Sequence, residues 1–126
     1  MQLVLLIGLA GFLGTIVIYL IGQAVYKIFP GPFPYATFFI NLIGCFFIGL
    51  IYGFIEKGSL VSYQTKMILM VGFCGGFTTF SAFSIENLNL IREGRIGLCA
   101  IYILSSVFIG LAATWGGFTI VKTLAA

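Results

Sequence analysis

Four long runs of this chain carry no charged side chain. They are Leu3–Tyr26, Tyr35–Ile55, Met67–Ile85 and Ile96–Val121, and charged residues such as Lys27, Glu56, Glu86 and Lys122 mark their limits. A bilayer core takes about 20 apolar residues per helix, and each run approaches or exceeds that length. Backbone amides in lipid must pair within their own segment, which excludes open strands and leaves helices. Composition points the same way: 61% of the 126 residues are hydrophobic and 7% are charged. A soluble domain carries about a quarter charged residues, so a water-soluble globule and a disordered chain are both excluded. The expected fold is all-α and integral to the membrane. It is a single membrane domain over residues 1–126 with spans of roughly 3–26, 35–55, 67–90 and 96–121. The first run is not expected to be a cleaved signal, because Met1-Gln2 supply no basic start and no small-x-small site follows.

Side-chain inventory narrows the function. There is no histidine, and the only carboxylates are Glu56, Glu86 and Glu93. Hydrolytic and proton-shuttling chemistry lacks its usual groups, and an enzyme is not expected. The net charge of +3 is small and scattered, so no nucleic-acid footprint exists. Cys45, Cys74 and Cys99 each lie in an apolar run without CxxC or Cys/His spacing. They read as small packing residues rather than metal ligands.

The connectors are short. Lys27–Pro34 holds all three prolines, Glu56–Thr65 is the longest loop, and Arg92–Arg95 is a tight turn with Gly94 free to take positive φ. Four spans put both termini and the second loop on one side, with Lys57, Lys66 and Lys122; the other side holds Lys27, Arg92 and Arg95. A basic imbalance is what orients a membrane protein, and three against three provides none. Dual topology follows as the expectation, and two oppositely inserted copies can pair as an antiparallel dimer. The 17 glycines suit close helix approach, and the row Gly8, Gly11, Gly14 on helix 1 reads as packing.

In lipid the polar residues are the informative ones. Helix 3 reads Gly72-Phe73-Cys74-Gly75-Gly76-Phe77-Thr78-Thr79-Phe80-Ser81-Ala82-Phe83-Ser84. A Gly-Gly pair followed by two threonines is a poor helix interior, and it falls near the middle of its span. A break there frees carbonyls that must meet protein, water or an ion. It is either a kink satisfied by hydroxyls or an ion site made of carbonyl oxygens. On helix 4, Tyr102, Ser106, Gly110 and Thr114 are each four apart and share a face. Such a stripe glues helices together or escorts a small solute. Asn41 is the one strongly polar side chain of helix 2 and must face protein or a wet cavity. Phe80 and Phe83 share a face of helix 3, as core residues or as the lining of a path. Glu86 near the membrane surface reads as a solvated or Arg-paired carboxylate.

The small multidrug transporters are similar in plan, but they rely on a glutamate in helix 1 that is missing here. A closer resemblance lies in Gly75-Gly76-Phe77-Thr78-Thr79-Phe80-Ser81-Ala82-Phe83-Ser84 followed by Glu86. This run resembles the signature of the Fluc (CrcB) fluoride channel family. Asn41 with Leu42 and Gly44, and the helix 4 face from Tyr102 through Ser106, extend the likeness over essentially the whole chain.

The resemblance implies passive export of fluoride, an ion that enters acidified cells as HF and is trapped as the anion. It implies a dual-topology homodimer in the cell membrane, with two pores and a structural sodium ion on the dimer axis. Carried over, Asn41 is a pore-side donor, Phe80 and Phe83 line the path, and Tyr102 and Ser106 belong to a polar track that Thr114 extends. Gly75 and Thr78 would offer backbone carbonyls to the sodium, with Thr79 and Ser81 as neighbours. Family members commonly place an arginine before the aromatic residue of helix 1, where Gly14-Thr15-Ile16-Val17-Ile18-Tyr19 has Ile18. That departure leaves room for a non-identical homologous partner.

Two other readings compete: a small transporter for a hydrophobic solute, and an accessory subunit without transport. The missing helix 1 carboxylate speaks against the first, and the interrupted helix 3 with its aligned polar faces speaks against the second.

The even split of lysines and arginines makes a testable statement about topology. Single cysteines placed in the second and third loops, in a background without the native cysteines, are expected to react with an impermeant reagent from both sides of intact cells. Reaction of every copy from one side alone would rule out dual insertion.

Overall fold

The computed structural model describes residues 1–58, 62–77 and 80–124, and every regular element among them is helical. Helix α1 spans Gln2–Ile28 and α2 spans Tyr35–Glu56. The third span begins with α3, Tyr63–Lys66, runs through a π-helical stretch, Met67–Cys74, and returns to one α-turn, α4, at Gly75–Phe77. Helix α5, Phe80–Arg92, completes it, and α6 spans Ile96–Leu124. Gln2–Ile28, Tyr35–Glu56, Tyr63–Arg92 and Ile96–Leu124 are each long and apolar enough to cross a membrane. At about 1.5 Å per residue, even α2 with its 22 residues matches a hydrocarbon core of about 30 Å.

The ends follow local chemistry. Helix α1 stops two residues before Pro30, and Gly31 in that connector has φ +142°. Gly94 turns the chain between α5 and α6 at φ +76°, a left-handed conformation that glycine adopts without a Cβ clash. Ser62 caps α3, its Oγ accepting the Thr65 amide at 3.2 Å. This cap starts the third span at Tyr63, four residues earlier than the charge at Lys66 suggests.

The irregularity of the third span also starts earlier than the Gly-Gly pair. The π geometry occupies the eight residues before it, Met67–Cys74, and α geometry resumes at Gly75 itself. A π stretch widens the turn and is frequent at functional sites. Thr78 and Thr79, on which the expected break also rests, lie outside the described residues.

Two helix pairs make the bundle. Helix α1 packs along the π stretch and α4, α2 packs along α6, and α1 against α2 joins the pairs. Helix α5 then leans on α6, so the third span changes partner along its length. Both pairs meet backbone to backbone. A Cβ on Gly14 would sit 2.6 Å from the Phe73 carbonyl oxygen, and one on Gly76 would sit 2.6 Å from that of Gly11. Across the other pair, Gly49 lies against the Thr114 carbonyl and Gly117 against that of Phe46. Within the row Gly8, Gly11, Gly14, only Gly8 faces open space. At the membrane edge, Lys57 Nζ donates to the Lys122 carbonyl at 3.0 Å, and Lys122 lies 3.8 Å from Glu56. This puts the end of α2 and the end of α6 on the same side, as four spans require.

The glycine row supplies its own control. Gly14→Ala is expected to lower the unfolding free energy in detergent by about 1–3 kcal/mol, the usual range for overpacking. Gly8→Ala should leave it unchanged or slightly raised, because nothing lies within 4 Å of the added methyl group. Thermal unfolding followed by helical circular dichroism measures both.

Candidate functional site

Five of the expected site residues meet in one groove of ≈ 420 Å³. Asn41 comes from α2, Gly75 from α4, Phe80 and Phe83 from α5, and Ser106 from α6. Their convergence follows from the change of partner in the third span. The π stretch and α4 hold Gly75 beside α1 and α2, and α5 brings the two rings across to α6. Among the described residues, the lining includes no Lys, Arg, Asp or Glu. The groove is mostly apolar, and the polar side chains that line it among the described residues are one carboxamide, one hydroxyl and the thiols of Cys45 and Cys74.

Phe80 and Phe83 differ in setting. Their centroids are 5.6 Å apart with planes at 42°. Phe83 is half-buried, and its ring lies 4.9 Å from that of Tyr102. Phe80 is 79% exposed, so within one chain it is not a core residue.

Tyr102 is fully buried and does not line the groove; it anchors a polar clamp beside it. Its hydroxyl donates to Glu86 Oε1 at 2.9 Å, and Thr37 Oγ1 donates to Glu86 Oε2 at 2.8 Å. The ring packs edge-on to Phe33 with centroids 5.3 Å apart. The Glu86 carboxylate is therefore held by two hydroxyls and is neither freely solvated nor paired with an arginine. This corrects the reading from its position alone: helix ends near the membrane surface do not show which neighbours fold over them. Spacing carried a signal for the clamp. Thr37 precedes Asn41 by four, Glu86 follows Phe83 by three, and Ser106 follows Tyr102 by four. One turn on each of three helices leads from the carboxylate to the groove.

A second polar link ties α5 to α6. Cys99 Sγ donates to Asn87 Oδ1 at 3.2 Å, and Asn87 Nδ2 donates to the Phe83 carbonyl at 2.9 Å. Both side chains are buried. Sequence reading passed over Asn87, whose position four after Phe83 was the available sign.

Thr114 is not brought to this groove. It borders a neighbouring apolar groove of ≈ 460 Å³ with Tyr52, Leu111 and Phe118, and its hydroxyl donates to the Gly110 carbonyl at 3.1 Å. The Tyr102–Thr114 stripe does face inward: Tyr102 and Gly110 are buried, Ser106 and Thr114 half-buried. Of the two carbonyls expected to meet a sodium ion, Gly75 borders the groove and Thr78 lies outside the described residues.

The family model described as CrcB-like protein, Camphor Resistance (CrcB), matches residues 5–118. The chain is 46% identical over 124 residues to a protein of Flavobacterium psychrophilum named fluoride-specific ion channel FluC, covering 98% of this chain and 100% of that one. A protein of the same name from Methylobacillus flagellatus is 41% identical, covering 97% of this chain and 96% of its own. A third, from Geotalea daltonii, is 44% identical over 93% of this chain and 94% of its own length.

The clamp on Glu86 is open to direct measurement. Tyr102→Phe keeps the ring against Phe33 and Phe83 and removes one of two donors to a carboxylate. It is expected to lower the unfolding free energy by about 1.5–3 kcal/mol, the range for hydrogen bonds to charged groups. Thr37→Val should do the same, and the double variant should fall short of the sum because both act on one carboxylate. Strict additivity in thermal unfolding would count against a shared clamp.

Proposed function

Because the chain belongs to the CrcB-like family, we propose that this multi-pass membrane protein is a passive, fluoride-selective channel that exports fluoride across the plasma membrane. The groove that gathers Asn41, Phe80, Phe83 and Ser106 carries the reading. Fluoride is small and strongly hydrated, so a narrow path must replace water's donors as it strips them. The Asn41 amide and the Ser106 hydroxyl are such donors. The rims of Phe80 and Phe83 add the positive edge of the ring quadrupole. No Lys or Arg lines the groove among the described residues. A fixed cation would hold the anion too firmly, since conduction needs release as well as capture. No carboxylate lines the groove among the described residues either, and a titratable group there is what a proton-coupled exchanger uses.

Roles divide by geometry. Asn41 and Ser106 supply donors, and Phe80 and Phe83 supply edges. Tyr102 has one O–H, and Glu86 takes it; the residue acts by positioning Phe83 through ring contact. Thr114 borders the neighbouring groove and its O–H is donated to the Gly110 carbonyl, so it offers the anion no donor.

The working unit in this reading is an antiparallel homodimer with two pores. The balance of Lys and Arg on the two sides favours insertion both ways, and the exposed Phe80 ring has a natural cover in a second copy. A structural sodium ion on the dimer axis fits the donor chemistry. Neutral carbonyl oxygens suit a hard cation, and Gly75 stands at the groove wall where the two copies would meet. Gly75 and Thr78 of both copies would hold the ion, whose part is to tie the dimer together.

Electrode-detected fluoride efflux from liposomes tests the channel. Phe80→Ile and Phe83→Ile keep apolar bulk but lose the positive edge. Each is expected to slow efflux by at least about tenfold, which is about 1.4 kcal/mol of added barrier, while size exclusion shows an intact dimer. Folded dimers with wild-type efflux would return both rings to a packing role.

A further inference from the structure

Three sulfur-bearing residues border the groove that holds Asn41 and Phe83. Cys45 sits one turn beyond Asn41 on α2, and Met70 and Cys74 sit one turn apart on the π stretch. Neither cysteine is in a disulfide. Sequence spacing left all three cysteines as separate packing residues, but the fold brings Cys45 and Cys74 to one cavity. The remaining thiol, Cys99, is elsewhere, buried with Leu90 and Tyr102 and bonded to Asn87.

Thiolate and thioether sulfur are soft donors that discriminate by softness rather than by charge. No carboxylate lines the groove among the described residues, so hard divalent cations find no matching ligands there. Two thiolates also cancel the charge of a divalent soft cation. The product is then neutral, as a site inside an apolar membrane domain requires. We propose that this groove is a binding site for a thiophilic divalent cation, held by Cys45 and Cys74 with the Met70 thioether beside them, and that its occupancy closes the path. The chemistry is ligand exchange without redox change. Each S–H bond breaks as a sulfur–metal bond forms, and each proton passes to water. Blockage follows from place: the ion would sit one turn from Asn41, in the groove that the anion crosses in the channel reading. The effect on transport rests on the channel reading, whereas the binding itself does not.

The probe is mercuric ion, and the background is Cys99→Ser, so that Cys45 and Cys74 are the only thiols. In detergent, elemental analysis after desalting should find one mercury per chain, and unbuffered titration should release two protons per mercury bound. In liposomes, micromolar mercuric ion should slow fluoride efflux by at least about tenfold, and excess free cysteine should restore it. Cys45→Ser and Cys74→Ser, each compared with its own metal-free rate, should be slowed by less than about twofold on that scale. Size exclusion identifies a misfolded variant, and Cys45→Ala or Cys74→Ala then replaces it. Undiminished block in the Cys45→Ser/Cys74→Ser double variant overturns the site, as does a parent chain that binds no mercury. Mercury bound with unchanged efflux overturns closure. A metal-free parent that moves no fluoride refutes the channel reading, and one mercury with two protons lost still upholds the site.

Discussion

Backbone-to-backbone contact is the interaction on which this bundle depends. Lipid tails are as apolar as leucine, so burying leucine between helices gains little in a membrane. Attraction must come from close approach, and close approach needs residues without side chains. Gly11, Gly14 and Gly76 let α1 lie on the third span, and Gly49 and Gly117 let α2 lie on α6. At Gly14, Gly76, Gly49 and Gly117 a carbonyl oxygen occupies the place a Cβ would take, and at Gly11 the Gly72 carbonyl lies at ordinary contact distance. These contacts set the spacing of the two helices within each pair.

The third span converts this packing into a site. Its first half belongs to α1 and its last helix to α6. A single straight helix would stay with one neighbour. The π stretch and the glycine pair that follows it are where the chain departs from that regularity. The consequence is that Phe80 and Phe83 face residues of α2 and α6 across the groove instead of α1. The clamp made by Thr37, Glu86 and Tyr102 then fixes the far side. It joins α2, α5 and α6 through one carboxylate and seats Tyr102 against Phe83.

Electrostatics in the groove are built from partial charges. Charged side chains cluster at the membrane edges, as with Lys57, Lys122 and Glu56, where water pays most of their solvation. Inside, the described lining residues offer an amide, a hydroxyl, two thiols and ring edges, and in the proposed channel these are what the anion would meet. Each is weaker than a formal charge, and together they offer an ion a succession of partners without a trap.

The spans were legible in the sequence alone because lipid enforces a simple rule of length and charge. Apolar runs ending at Lys27, Glu56 and Lys122 mark helices that the structure extends by only a few residues. Gly94 was legible for a similar local reason, since its turn needs positive φ. Residues sharing a face were legible too: Phe80 with Phe83, and Tyr102 through Thr114, are set by helical periodicity. Tertiary structure alone decided which faces meet. It put Asn41, Phe83 and Ser106 into one groove, set Tyr102 in the clamp beside it, and placed Thr114 at the next groove. It gave Glu86 two hydroxyl partners and put Cys45 and Cys74 on the lining of one groove. Periodicity fixes where a side chain points around its own axis; the angle and separation at which two axes cross depend on contacts such as Gly14 on Phe73, between residues far apart in the chain.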